Sequence, residues 1–121
     1  MKTIFLIDDS ATMVMSLSNA LELSGFKVET ANDGEQAIAK LKTGFKPDLI
    51  ITDINMPKMN GIEFIRHARP LLRFTPILVL STESQAARRD EAKKLGATGW
   101  LVKPVAAADL LQVIKQVLPG A

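Results

Sequence analysis

The sequence predicts a doubly wound α/β sandwich built around a parallel sheet, and three observations carry that prediction. Five short apolar runs recur along 121 residues, and segments with helical spacing separate them. Most of those runs are unbroken by polar residues, as strands covered on both faces must be. Right-handed crossovers then join successive parallel strands through helices and place helices on both sides of the sheet.

Each element has its own local reason. Ile4-Phe5-Leu6-Ile7 is a continuous apolar strand. Val14, Leu17 and Leu21 follow at helical spacing, and Gly25 offers a stop where a left-handed residue is wanted. Phe26-Lys27-Val28-Glu29-Thr30 alternates apolar and polar residues, the pattern of a half-exposed edge strand. Ala37, Ile38 and Leu41 form a second helical stripe that ends near Gly44. Leu49-Ile50-Ile51 is the third strand and runs into Thr52-Asp53. Ile62, Phe64 and Ile65 lie in a third helix, which Pro70 helps to end. Ile77-Leu78-Val79-Leu80 is the fourth strand and leads to Ser81. Ala86 to Lys94 is helical by propensity but poor in large apolar side chains. Trp100-Leu101-Val102 is the fifth strand, before Lys103. Leu110, Val113, Ile114 and Val117 make the last helix, closed by Pro119-Gly120. Asp33, Asn60 and Asp109 stand at or near helix starts, where short polar or acidic side chains satisfy free amides.

Composition narrows the class. A chain of 121 residues reads as one domain, long enough to hold a core without staples. The absence of cysteine excludes a disulfide scaffold and thiolate zinc sites, which makes a cytoplasmic location the simplest expectation. Fifteen Lys and Arg against thirteen Asp and Glu leave +2, too mild and too interspersed to point to nucleic acid. The apolar start is cut by Asp8-Asp9, too early for a signal peptide, and no stretch approaches the ~18 apolar residues of a membrane span.

Polar residues converge at one place. Ligands of open parallel sheets bind beyond the carboxyl ends of the strands. There the first strand delivers Asp8-Asp9, the third Asp53, the fourth Ser81 and the fifth Lys103. Polar residues often end strands by default, but three carboxylates, a hydroxyl and a lysine together argue for a site. Two carboxylates about 6 Å apart repel by roughly 3 kcal/mol at an effective dielectric near 20, so three call for a cation. Hard oxygen donors without His or Cys favour Mg2+, which also prefers phosphate oxygens as partners. A carboxylate can then serve as nucleophile toward phosphorus, with Lys103 and Ser81 compensating the phosphoryl oxygens. Nucleotide binding fits poorly, since the first turn is acidic and no glycine-rich phosphate loop occurs.

The strings Leu6-Ile7-Asp8-Asp9-Ser10, Thr52-Asp53-Ile54-Asn55-Met56-Pro57-Lys58-Met59-Asn60-Gly61, Val79-Leu80-Ser81 and Leu101-Val102-Lys103-Pro104 carry a resemblance over the whole length. The sequence resembles the receiver domains of bacterial two-component response regulators, most closely their free-standing chemotaxis members. That resemblance implies a flavodoxin-like fold with strand order 2-1-3-4-5. It implies a receiver domain over residues 1–121 with no output domain. Asp53 resembles the phosphoacceptor, charged by a histidine kinase or its phosphotransfer domain. Asp8, Asp9, Asp53 and the backbone carbonyl of Asn55 correspond to the metal site, for Mg2+ with Mn2+ as a substitute. Ser81 and Lys103 match the pair that grips the bound phosphoryl group, and Asn55 and Glu83 the positions that tune self-dephosphorylation. A cis Lys103-Pro104 bond is implied as well. Ser81 and Trp100 match the switch pair that remodels the surface of the fourth helix, fifth strand and fifth helix for a downstream protein, such as a flagellar motor component. A monomer is expected, without nucleic acid or membrane insertion.

Two positions depart from the pattern. Trp100 stands where Tyr or Phe is usual, which bears on how far the ring turns inward. Val105 stands where Phe is common, which thins the packing under the last loop. His67 reads as a surface or packing residue, and Arg88, Arg89, Lys93 and Lys94 as a solvated face. Met13, Met15, Met56 and Met59 read as space-filling or loop-shaping residues. Among alternatives, a phosphate sink or relay intermediate shares this site. A metal-dependent small-molecule phosphatase would want an acid where Asn55 stands, and a phosphorylation-blind module would not need the full acidic set.

Overall fold

The computed structural model describes residues 2–82 and 86–118. Five strands and five helices alternate: β1 (Thr3–Ile7), α1 (Ala11–Leu23), β2 (Lys27–Ala31), α2 (Gly34–Lys42), β3 (Leu49–Thr52), α3 (Gly61–Ala68), β4 (Ile77–Ser81), α4 (Ala86–Lys94), β5 (Gly99–Val102) and α5 (Ala107–Val117). The strands form one parallel sheet in the order β2-β1-β3-β4-β5, the flavodoxin-like order expected. The alternating strand β2 takes an edge, and the continuous apolar strands β1, β3 and β4 take the middle, where both faces are covered.

Strand periodicity divides the core into two. Phe5, Ile7, Ile50 and Val79 point to one side, where they meet Ile38 and Leu41 of α2, Phe64 and Ile65 of α3, and Ala92 of α4. Ile4, Leu6, Leu49, Ile51 and Leu80 point to the other, against Leu17 and Leu21 of α1 and Leu110 and Ile114 of α5. Residues two apart thus share a layer, as the two-residue strand repeat requires.

Caps set where the helices begin. Asp33 accepts the Gln36 N–H at 2.8 Å and Asn60 the Glu63 N–H at 2.9 Å, as expected. Ser10 does the same for α1, accepting from Met13 at 3.3 Å. Asp109 lies in the first turn of α5, near the helix start as expected, while the cap position is Ala106 with no side-chain bond. Gly25 and Gly44 adopt φ +94° and +98° just past α1 and α2, as left-handed stops do. The stop at Pro119-Gly120 lies outside the described residues. Among the described residues, no helix is long and apolar enough to cross a membrane.

Candidate functional site

The backbone ladder that builds the sheet also fixes the residues that leave it. The Asp8 N–H donates to the Ala31 carbonyl at 3.2 Å, the Asp53 N–H to Ile7 at 3.0 Å, and the Lys103 N–H to Ser81 at 2.8 Å. Each bond extends the parallel pairing one residue past its strand, so three side chains of the acidic edge spring from immobilised backbone.

Their side chains meet. Lys103 Nζ donates to Asp8 Oδ2 at 2.8 Å and to Asp53 Oδ2 at 3.3 Å. These are shielded ion pairs, with side-chain exposures of 10% for Lys103, 3% for Asp8 and 11% for Asp53. The other oxygens are held by amides: Asp8 Oδ1 accepts the Ser10 N–H at 2.9 Å, and Asp53 Oδ1 accepts the Ile54 N–H at 2.7 Å. Asp9 is exposed beside them, and carboxylate oxygens of Asp8, Asp9 and Asp53 lie within 4.8 Å of one another.

Burial pushes the Asp53 pKa above its ordinary value, against the pull of Lys103 and with the help of the Asp8 charge. Burial acts the opposite way on Lys103, but its bond to Asp8 and the charges of both aspartates outweigh that and raise its pKa. Lys103 therefore stays protonated beside a carboxylate that is reluctant to ionise. The donor set is oxygen only, clustered and anionic, which fits Mg2+ or Mn2+.

The loop after Asp53 is tightly built. A Cβ on Gly61 would run into the Asp53 carbonyl oxygen and would lie 2.9 Å from Ile54 Cα. The Gly61 N–H also donates to the Ile54 carbonyl at 2.8 Å, so α3 starts directly against the acidic strand end. Lys58 adopts φ +67°, and the Met59 N–H bonds the Pro57 carbonyl at 2.7 Å, which together make a γ-turn. Sequence reading singled out Gly61 as part of a string but missed this close approach, because nothing local to Gly61 signals what it will touch.

The remaining expected residues divide. Ser81 is fully buried at the end of β4. Two residues on from Val79, it faces the same side as Trp100, which pairs with Val79 in register. Trp100 is half-buried against the α2–α4 side of the core and walls a cleft of about 210 Å³ with Ala92, Lys93 and Thr98. Asn55 is exposed, two residues past Asp53. Glu83 lies outside the described residues. The Lys103-Pro104 bond is cis, as implied. A cavity of about 240 Å³ lies under the last loop, lined among others by Met13, Leu17, Leu80 and Val105, where the smaller Val105 was expected to thin the packing. His67 is exposed on α3, and Met15 is exposed while Met56 is buried.

Comparison with known proteins adds an independent line. Residues 4–115 match the response regulator receiver domain. The transcriptional regulatory protein PrrA of Mycobacterium leprae is 36% identical over 115 residues, which are 95% of this chain and 49% of PrrA. The chain thus spans about half the length of the first curated relatives it matches. The chemotaxis protein CheY of Thermotoga maritima is 34% identical over 117 residues, 96% of this chain and 97% of that protein. Among solved structures, the chemotaxis protein CheY4 of Vibrio cholerae has a TM-score of 0.91 at 42% identity, covering 98% of this chain and 99% of that one. The CheY of a Borrelia burgdorferi CheX–CheY–BeF3–Mg complex has a TM-score of 0.91 at 29% identity, covering 96% of this chain and 88% of that one.

Proposed function

This chain belongs to the response regulator receiver domain family, and on that premise we propose that it is a Mg2+-dependent switch that takes a phosphoryl group onto Asp53. The donor is a phosphohistidine on a histidine kinase or its phosphotransfer domain. One observation carries the reading: Lys103 Nζ stands 2.8 Å from Asp8 and 3.3 Å from Asp53 at the edge where Asp8, Asp9 and Asp53 cluster.

The chemistry follows from these side chains. A carboxylate oxygen of Asp53 attacks phosphorus; the new O–P bond forms as the P–N bond breaks, and imidazole leaves. The Ile54 N–H and Lys103 hold the carboxylate in place, and Lys103 offers a cation for the oxygens of the arriving group. Asp8, Asp9, Asp53 and the Asn55 carbonyl would hold Mg2+, which when bound supplies charge neutralisation for carboxylates and phosphoryl oxygens. Hydrolysis later returns the carboxylate and inorganic phosphate, with Asn55 and Glu83 flanking the path of water.

The phosphoryl group replaces a single carboxylate charge with a total of about −1.5 to −2 and three acceptor oxygens, which draw Ser81 toward it, and Trp100 turns into the room it leaves. The surface of α4, β5 and α5 then changes for a downstream target. We take chemotaxis as the setting, in the cytoplasm, with a monomer acting on a flagellar motor component. The near full-length similarity to the T. maritima CheY supports that choice, and the similarity to part of the transcriptional regulators supports the phospho-accepting switch itself.

Intact mass decides the central step. Acetyl phosphate with Mg2+ should add one phosphoryl group, and Asp53→Asn should abolish it. Full-rate modification of Asp53→Asn at another residue, or rapid turnover of a generic phosphate ester, would overturn the assignment.

A further inference from the structure

Helix α4 is fastened at one end. The one buried residue of α4, among those described, is Ala92, and Glu91 pairs with Arg66 of α3 at 3.8 Å. Leu95, just beyond the helix, packs on the α2–α4 side of the core. Toward the other end, Ala86, Ala87, Arg89 and Asp90 are exposed. Among the described residues, the apolar anchorage of α4 thus falls in its C-terminal half.

Arg69 reinforces that half. Its Nη2 donates to the Gly96 carbonyl at 2.6 Å. Its Nη1 donates to the carbonyls of Leu72 at 2.8 Å, Arg73 at 3.1 Å and Thr75 at 2.8 Å. The guanidinium therefore ties the turn after α4 to the loop before β4 through neutral acceptors alone. Gly96 sits at φ +110°, and a Cβ there would lie 2.8 Å from Arg69 Nε, so turn and side chain are fitted to each other. Thr98 completes the joint: its N–H donates to the Ile77 carbonyl at 2.7 Å, and its hydroxyl accepts the Ile77 N–H at 3.1 Å.

We infer that Arg69 is a positioning residue for the switch: it fixes the C-terminal end of α4, so that a change at the Ser81 end of β4 displaces the N-terminal end of α4 about that point. The inference rests on the functional reading above. Its mechanical content is directional. The ends of β4 and β5 near Thr75 and Gly96 stay joined, and rearrangement is confined to the half of the molecule that carries Asp53.

Amide hydrogen exchange, followed by mass spectrometry with acetyl phosphate and Mg2+, reads this without any substitution. Exchange over residues 86–90 should change by about tenfold on phosphorylation, while the amides of Leu95, Gly96 and Ala97 change by less than about twofold. In Arg69→Lys the change should spread to 95–97. The Trp100 emission shift per phosphoryl group should also fall by roughly twofold at equal Asp53 occupancy. A purely structural Arg69 would lower the melting temperature yet leave both patterns alone, which would overturn the inference. Wild-type exchange that changes uniformly along α4 and through 95–97, or not at all despite phosphorylation, would overturn it by itself. Absence of phosphoryl uptake would remove the functional reading and the inference together.

Discussion

Lys103 meets two carboxylates with one charge, and Asp9 adds a third carboxylate within 4.8 Å. In chelator, Asp9→Asn should therefore raise the melting temperature. The gain should correspond to less than about 1 kcal/mol, because Asp9 is exposed and screened. Mg2+ should shrink the gain, since binding stabilises only the intact acidic set. Equal or lower stability of the variant in chelator would contradict the charge strain. Asp53 carries a pH dependence of definite sign. Burial raises its folded-state pKa above the ordinary 3.8, so the folded chain holds this proton more tightly than the unfolded chain does. The ionised carboxylate thus costs stability at neutral pH. That cost is relieved as pH falls through the folded-state pKa and vanishes below 3.8, where both states are protonated. Lys103 has the other sign: its stabilisation holds below its unfolded pKa of 10.5 and is lost as pH rises through the higher folded-state value. In chelator, Asp53→Asn should be more stable than wild type at pH near 7, with an advantage that fades toward pH about 4. Lys103 keeps Asp8 as its partner in that variant and stays protonated across that pH range, so it adds no pH dependence of its own to the comparison. Parallel melting curves across that range would refute it.

Elements meet at Gly61, where the first residue of α3 touches the backbone of the acidic strand end. Gly61→Ala should cost about 1–3 kcal/mol through overpacking and slow phosphorylation of Asp53, as chemical denaturation and intact-mass kinetics would report. Lys58→Gly, in the same loop, should instead be neutral or stabilising by up to about 1 kcal/mol, because the γ-turn strains a side chain at φ +67°. Destabilisation by Lys58→Gly would mean that Lys58 makes contacts worth more than that strain. This loop also shows what sequence could and could not reveal. The central strands were legible because short, uninterrupted, β-rich apolar runs suit strands covered on both faces, and Asp8, Asp53 and Lys103 because strand ends of one sheet share an edge. Asp109 was legible as a residue of the helix start, but the cap position itself, Ala106, was not, because a cap depends on the backbone turn before the helix, which charge does not report. Arg69 was invisible for a different reason. An arginine reads as surface, and only the fold brings the carbonyls of Leu72, Arg73, Thr75 and Gly96 around one guanidinium.

At the scale of the whole molecule, Trp100 is the single tryptophan and is half-buried on the side of the sheet that Ser81 faces, so its fluorescence would report the proposed switch. Phosphorylation should shift its emission to shorter wavelength as the half-buried ring turns inward, and Ser81→Ala should weaken the shift while leaving Asp53 phosphorylatable. The shift should be partial in isolated protein, because a swing from 1:99 to 99:1 needs a bias of ~5.5 kcal/mol, and a bound target should enlarge it. Unchanged emission and quencher access in fully phosphorylated protein, alone and with a partner, would reduce Trp100 to core packing. The backbone bonds of Asp8, Asp53 and Lys103 have a consequence for fidelity in the cell. A site whose reacting groups are already in place asks nothing of its donor beyond a transferable phosphoryl group. Chemistry then cannot tell a correct sender from a wrong one, and any metabolite or kinase with sufficient group-transfer potential is a source of spurious signal. Insulation between signalling channels must reside in how partners recognise the surrounding surface, and in how quickly an unsolicited acyl phosphate is erased.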